Sequence, residues 1–321
     1  MKNNKKIFCT LGPSSINKKF LTESKKYVDL LRLNMSHIKI QELQRNIKFI
    51  KKYTDIPICI DTEGAQIRTK VIKKKYIKKN EVFKLHKSNG YFNLYPEYIF
   101  KNLKKNDLLD IGFENLKIKI TNKSENFCSC KCTSSGFLEN NKGVHLTNRK
   151  IKIEPLTNKD TKAIEIGLIN KINYYALSFT NSVSDIDLFE KYLPYNNKIY
   201  KIETKNAIKN LDKLLRKGTN FLIDRGDLSK EIGILNIPYA QRKVHLLQKK
   251  LKNKNVFVAT NFLESMVLNP YPTKAELNDI YSSLELGANG LVLAAETAIG
   301  KYPLESIKIL KGIINKYQYH N

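Results

Sequence analysis

The sequence predicts an α/β fold: a (β/α)8 TIM barrel with a small β domain inserted after its third strand. Three observations carry the prediction. Eight short apolar runs of strand character recur along the 321 residues, with amphipathic stretches between them. Most of these runs end in polar residues, where a parallel barrel gathers its chemistry. The interval between the third and fourth runs is also far longer than the others, too long for a structureless loop. A doubly wound open sheet is the alternative, but no G-x-G-x-x-G follows a strand to support it.

In chain order the strand runs begin with "KIFCTLG" (6–12), "DLLRLNMS" (29–36) and "IPICIDT" (56–62). After the long interval come "YYALSF" (174–179), "KIYKIE" (198–203), "NFLIDRG" (220–226), "VFVAT" (256–260) and "GLVLAAE" (290–296). Helical periodicity marks "IQELQRNIKFIKKY" (40–53), "SVSDIDLFEKYL" (182–193), "NAIKNLDKLLRKG" (206–218) and "YAQRKVHLLQKKLKNK" (239–254). It marks "TKAELNDIYSSLELG" (273–287) and "PLESIKILKGIINKY" (303–317) as well. Inside the long interval, "EVFKLH", "LKIKI" and "FCSCKC" alternate apolar and polar residues, punctuated by Gly90, Gly112, Gly136 and Gly143. The expected domains are a barrel from 1–70 and 147–321 and an inserted β-rich unit from 71–146. A unit after strand 3 borders the mouth of a barrel, so a lid is the expected role.

Composition narrows the function classes. Hydrophobic residues make up 41%, enough for a real core, and no apolar run approaches the roughly 20 residues that span a bilayer. The start "MKNNKKIFCTLGPSS" has no signal region, which leads to a cytosolic expectation and no membrane partner. Lys and Arg number 57 against 30 Asp and Glu, for a net charge of +27. The lysines spread through every segment beside many Asn, Ile and Tyr, the pattern of an AT-rich genome, and no nucleic-acid motif accompanies them. Nucleic acid is therefore not an expected partner, although small anions are attracted. Cys128, Cys130 and Cys132 tempt a zinc reading, but spacing of two puts them on one strand face as small packing groups.

The polar strand ends carry the chemistry. Arg32, Asn34 and Ser36 share one face by period two; Asp61 and Thr62 end the third run, with Arg68 just beyond. Lys201 and Glu203 end the fifth, "DRGD" the sixth, Thr260 and Asn261 the seventh, Glu296 and Thr297 the eighth. Glu203 and Asp227 are hard oxygen ligands suited to Mg2+ or Mn2+. Arg32 and Arg68 suit phosphate. Lys201 supplies fixed positive charge where negative charge develops, and Thr260 a hydroxyl for proton relay or carboxylate binding. Asn34, Ser36, Asp61 and Thr62 offer oxygens to a monovalent cation. The set describes phosphoryl transfer. At the mouth of the barrel Lys201 is expected to be partly solvated, so that Lys201→Met costs turnover but not folding.

Seven motifs, in order, resemble those of the pyruvate kinase family: "RLNMSH" (32–37), "DTEGAQIRT" (61–69), "KGVHL" (142–146), "KIE" (201–203), "RGDL" (225–228), "ATNFLESMVLNPYPTKAE" (259–276) and "AAETAIGKYPLES" (294–306). The resemblance implies a barrel with an inserted lid that moves a phosphoryl group from phosphoenolpyruvate to ADP, giving ATP. It implies Lys201 as the catalytic lysine, Glu203 and Asp227 on the divalent metal, and Asn34, Ser36, Asp61 and Thr62 around K+. It further implies Arg32 and Arg68 on phosphates and Lys142 on the nucleotide. The backbone of Arg225, Gly226 and Asp227, with Thr260, is implied for the substrate carboxylate.

Departures from the family pattern are Glu63 for Lys, Ala65 for Pro, Gln66 for Glu or Lys, Asp224 for Ala and Asn261 for Gln. Ala294 stands for Ser, Ile111 for the Asp expected after Asp110, and Asn181 with Ser182 for an Arg-Lys pair. Asp224 repels a substrate carboxylate unless it faces away or pairs with a cation. Two alternatives follow: a family kinase with another donor or acceptor, and a non-catalytic phosphometabolite-binding protein. Gln66 leads to an expectation of weak K+ stimulation. The sequence stops after the helical stretch that follows the eighth strand run, short of the family's further C-terminal domain. The accompanying expectations are no response to sugar bisphosphates and an open question of homo-oligomerisation.

Overall fold

The computed structural model describes residues 5–112, 116–149, 151 and 153–320. The chain divides into two compact units, Met1–Gly64 with Asn158–Asn321, and Ala65–Thr157.

The first unit opens with β1 (Lys6–Thr10), α1 (Lys18–Glu23), β2 (Leu30–Asn34), α2 (Ile40–Tyr53) and β3 (Ile58–Asp61). The second unit holds β4 (Ile67–Val71), β5 (Lys75–Ile77), β6 (Val82–His86), β7 (Phe92–Tyr95) and α3 (Ile99–Asn102). It continues through β8 (Leu108–Ile111), β9 (Leu116–Lys123), β10 (Phe127–Ser134), β11 (Gly136–Leu138) and β12 (Gly143–Leu146). The first unit resumes with α4 (Asn158–Ile169), β13 (Tyr174–Leu177), α5 (Val183–Tyr192), β14 (Asn197–Ile202), α6 (Lys205–Lys209) and α7 (Leu211–Lys217). Next come β15 (Asn220–Asp224), α8 (Arg225–Ile232), α9 (Ile237–Leu251) and β16 (Asn255–Ala259). It ends with α10 (Lys274–Leu286), β17 (Gly290–Leu293), α11 (Ala295–Ala298) and α12 (Pro303–His320).

The strands of the first unit close into a parallel barrel in the order β1-β17-β16-β15-β14-β13-β3-β2. Every run read as a barrel strand lands on one of them. Phe8, Leu30, Cys59, Ala176, Ile199, Leu222, Phe257, Ala259 and Val292 form one buried cluster, with a contribution from each strand. Its members fill the barrel as packed layers of side chains.

The helices outside the barrel bury one stripe each. On α2, Leu43, Ile47 and Ile50 are buried at helical spacing, and Lys51 and Lys52 sit in the last turn, where the helix dipole favours cations. A capping box formed by Thr273 and Glu276 starts α10. The stretch 206–218, expected as one helix, is two. The break falls at Asn210, whose side-chain amide donates to the carbonyl of Asn181 at 2.8 Å.

The second unit is a smaller closed barrel, β10-β6-β7-β4-β12-β8-β9, with β11 and β5 paired beside it. Its extent is wider than 71–146 because β4 pairs antiparallel with β7 and β12. Cys128, Cys130 and Cys132 alternate inward on β10, fully buried as free thiols in an apolar cluster with Leu85, Phe92 and Ile118. No helix among the described residues is long and apolar enough to cross a membrane.

Candidate functional site

A polar layer sits directly above the apolar barrel interior, and period two explains it. Stepping two residues on from Phe8, Leu30, Cys59, Ala176, Ile199 and Leu222 reaches Thr10, Arg32, Asp61, Ser178, Lys201 and Asp224. A residue two further along a strand faces the same side, so each polar residue points into the same lumen. All six are buried.

Asp61 is the hub of this layer. Its Oδ2 receives Nε of Arg32 at 2.5 Å and lies 3.3 Å from Nζ of Lys201, while its Oδ1 accepts from the Ser178 hydroxyl at 3.1 Å. Arg32 also donates to Oγ1 of Thr10 at 2.9 Å. Lys201 stands among carboxylates: Nζ is 2.6 Å from Glu203, 3.3 Å from Asp61 and 3.4 Å from Asp224. Glu203 is anchored through Oε2, which accepts from the backbone N–H of Phe179 at 2.6 Å. Its buried Oε1 accepts no hydrogen bond from the described residues, its neighbour Lys201 lying off hydrogen-bond geometry.

The expectation of a partly solvated Lys201 is corrected here. The residue is 3% exposed, because the carboxylates around it close over the ammonium. Burial disfavours that ammonium, but Asp61, Glu203 and Asp224 outweigh it and hold its pKa above the ordinary lysine value. Asp224, by contrast, pairs with a cation: burial raises its pKa, but Lys201 and Arg32 prevail and lower it. Glu203 is pushed up to about 8 by burial and by the carboxylates of Asp224, Asp227 and Asp61, against the pull of Lys201. Burial is the larger cause, and the neighbouring carboxylates add to it.

The next side of the site is built at the start of α8. Asp224 ends β15, and Arg225, Gly226 and Asp227 form the first turn of the helix. The Gly226 N–H donates to Oγ1 of Thr260 at 2.9 Å, and that hydroxyl lies 3.4 Å from Oδ1 of Asp224. Arg225 turns its side chain away from this layer, pairing with both oxygens of Asp279 at 2.8 and 2.9 Å and stacking over Phe262. Thr260 has φ 73° and Asn261 φ 57°. A β-branched residue in left-handed backbone is a true outlier, and such strain gathers at functional sites. Glu203, Asp224 and Asp227 each offer an oxygen, all within 4.8 Å of one another, the one cluster of metal-ligand type among the described residues. Three hard carboxylate oxygens converging in this way fit a divalent cation of the Mg2+ class.

Other expected residues have local work. Asn34 Oδ1 accepts from the N–H of Ser36 at 3.0 Å, and Oγ1 of Thr62 accepts from the N–H of Ser178 at 3.0 Å. Arg68 lies on β4 and Lys142 beside β12, in the second unit; Lys142 pairs with Glu139 at 2.9 Å. Glu296 and Thr297 are not at a strand end but in α11. Glu296 accepts from the N–H groups of Leu263 and Ala294, and Thr297 donates to the carbonyl of Thr10.

The substituted positions have structural explanations in part. Glu63 pairs with Lys159 at 3.2 Å. Ser182 and Asp185 make the capping box of α5, and Asn181 accepts from the Thr204 hydroxyl at 2.6 Å. Thr10 and Ser178 were missed by sequence reasoning, and Asp224 was read as part of the polar end "DRGD" and as a departure, without a site role. The two-residue step from each interior apolar residue is the signal that finds all of them.

Comparison with known proteins agrees with the motifs. The family model described as "Pyruvate kinase, barrel domain" matches residues 2–307. A pyruvate kinase of Thermotoga maritima is 31% identical, over 96% of this chain and 70% of its own length. That of Methanocaldococcus jannaschii is 30% identical, over 100% of this chain and 71% of its own. For Staphylococcus haemolyticus the values are 31%, 96% and 56%, so the chain spans little more than half of that relative.

Proposed function

Because the chain belongs to the pyruvate kinase family, we propose that it transfers the phosphoryl group of phosphoenolpyruvate to ADP with a divalent metal, yielding pyruvate and ATP. The observation that carries this reading is the convergence of Lys201, Arg32, Glu203 and Asp227 at one polar layer, the first three of them buried. Glu203 and Asp227 would hold Mg2+ or Mn2+, which when bound neutralises phosphate charge. Lys201 holds a fixed positive charge against the oxygens of the transferring phosphoryl group, with no reorganisation needed as that charge shifts. Arg32, held by Asp61 and Thr10, presents a preorganised fork for phosphate. The backbone at the start of α8, with the Thr260 hydroxyl, would receive the substrate carboxylate, the Gly226 N–H exchanging its bond to Thr260 Oγ1 for one to that carboxylate; Thr260 is also assigned the proton transfer to the enolate. Arg68 and Lys142 contribute to the nucleotide. Asn34, Ser36, Asp61 and Thr62 offer oxygens to K+, and stimulation by K+ over tetramethylammonium tests this.

A second reading, a family kinase with a different donor, is favoured by Asp224, whose Oδ1 stands beside the Thr260 hydroxyl intended for a carboxylate. One assay separates the two: phosphoenolpyruvate-dependent ATP formation by purified protein, with and without Mg2+. Turnover that disappears on chelation, and in Asp227→Ala, is the expected result; no ATP from phosphoenolpyruvate at any metal concentration rejects the first reading.

A further inference from the structure

We infer that Asp224 is a third carboxylate ligand of the divalent-metal site, so that this chain binds its metal through Glu203, Asp224 and Asp227. The inference rests on the metal reading of Glu203 and Asp227 given above.

Position comes first. Asp224 is the last residue of β15 and directly precedes the helix that carries Asp227, while Glu203 follows the adjacent strand β14. Their oxygens therefore converge within 4.8 Å. Charge comes second. With all three ionised, the buried carboxylates of Asp61, Glu203 and Asp224 outnumber by one the cations Arg32 and Lys201 that they meet among the described residues, and Asp227 lies at the edge. Lys230 offsets Asp227 from the solvent side, at 2.9 Å. Buried charge of one sign in excess is costly unless a counter-charge is bound. Third, Oε1 of Glu203 is fully buried within this cluster and, among the described residues, accepts no hydrogen bond of good geometry, its contact being the ion pair with Lys201 at 2.6 Å. A hard divalent cation supplies what all three observations lack, and three carboxylates still leave a six-coordinate ion positions for water and phosphate oxygens.

The assignment also answers the objection that Asp224 raises. A carboxylate bound to a divalent cation no longer repels a substrate carboxylate at Thr260, so the Asp at this position is compatible with phosphoenolpyruvate.

The test is Mn2+ binding to the whole protein without substrates, read by the loss of the free Mn2+ electron-paramagnetic-resonance signal. Wild type is compared with Asp224→Asn, Asp224→Ala, Glu203→Gln and Asp227→Ala. Asp224→Asn keeps the side chain's shape and guards against a folding defect, which circular dichroism checks. Both Asp224 variants are expected to weaken Mn2+ binding at least about tenfold, the lower end of what losing even a supporting partner of a metal ligand costs. Weakening by Glu203→Gln and Asp227→Ala, with Asp224→Asn unchanged, overturns the inference and leaves the two-ligand site standing. Unchanged binding in all four variants overturns the metal site itself, and the inference with it.

Discussion

Lys201 shows how one residue serves fold and chemistry together. It is buried among Glu203, Asp61 and Asp224, so Lys201→Met leaves those carboxylates without their central cation. Breaking a buried pair from one side costs about 3–5 kcal/mol. We expect Lys201→Met to lower the melting temperature and to lose at least about a hundredfold in turnover, the usual worth of a group that stabilises developing charge. Lys201→Arg keeps the charge and separates the effects: stability recovers more than turnover does. Thermal unfolding and steady-state rates on both variants check this, and a Lys201→Met protein of wild-type stability would mean that the carboxylates are not ionised around it.

At the same scale His245 sets a pH limit. It is 1% exposed on α9; Nδ1 lies 2.7 Å from Oε1 of Gln248, and Nε2 has no hydrogen-bond partner among the described residues. The Gln248 amide nitrogen donates elsewhere, to Asn289 and the carbonyls of Lys254 and Gly287, so its Oε1 accepts and Nδ1 carries the ring proton. A second proton at Nε2 is buried without a partner. Burial, helped by Lys249 and Lys5, lowers the pKa below the ordinary 6.5, despite the opposing bond to Gln248. A depressed folded pKa means that the unfolded chain takes the proton first. Its stabilising effect is thus full above 6.5 and lost as pH falls through the folded value. Urea midpoints of wild type and His245→Phe should converge as pH is lowered from 8 to about 5; parallel curves would assign the acid sensitivity to other groups.

Among the elements, helix starts do much of the positioning. Ser265 is held by both oxygens of Glu276, at 2.7 and 2.6 Å, and Glu276 is also the second half of the α10 capping box with Thr273. One box thus starts a helix and fixes the loop that follows Thr260 and Asn261. Thr273→Ala is expected to cost about 1 kcal/mol, the usual worth of an N-cap, as measured by chemical unfolding. Glu276→Ala should cost more, because Ser265 loses its acceptor too. Strand β14 is the complementary case: alternation alone aims Lys201 and Ile199 into the lumen, and no cap or turn is needed.

For the whole molecule, the packing leaves no reactive thiol. Cys9 and Cys59 lie on β1 and β3, and Cys128, Cys130 and Cys132 line the small barrel; all five are buried and free. Burial pushes each thiol above its ordinary pKa. The thiolate is the reactive form, so an aromatic disulfide reagent should label none of them in the folded protein and all of them in guanidinium. Rapid labelling of the native protein would show that one of the two cores opens.

The sequence by itself determined the barrel, because strand alternation and helix periodicity are local properties, readable in runs such as "IPICIDT" and "IQELQRNIKFIKKY". It also determined which residue types stand at the strand ends, and thereby the family. The burial of Lys201 was decided only when β3, β13, β14 and β15 closed into one sheet around the lumen, since the carboxylates that cover it come from residues 61, 203 and 224. The same closure brought Thr10 and Ser178 into the polar layer, and it set Asp224 beside Glu203 and Asp227. A charge is solvated or buried according to what lies across the lumen, and no local pattern encodes that neighbour.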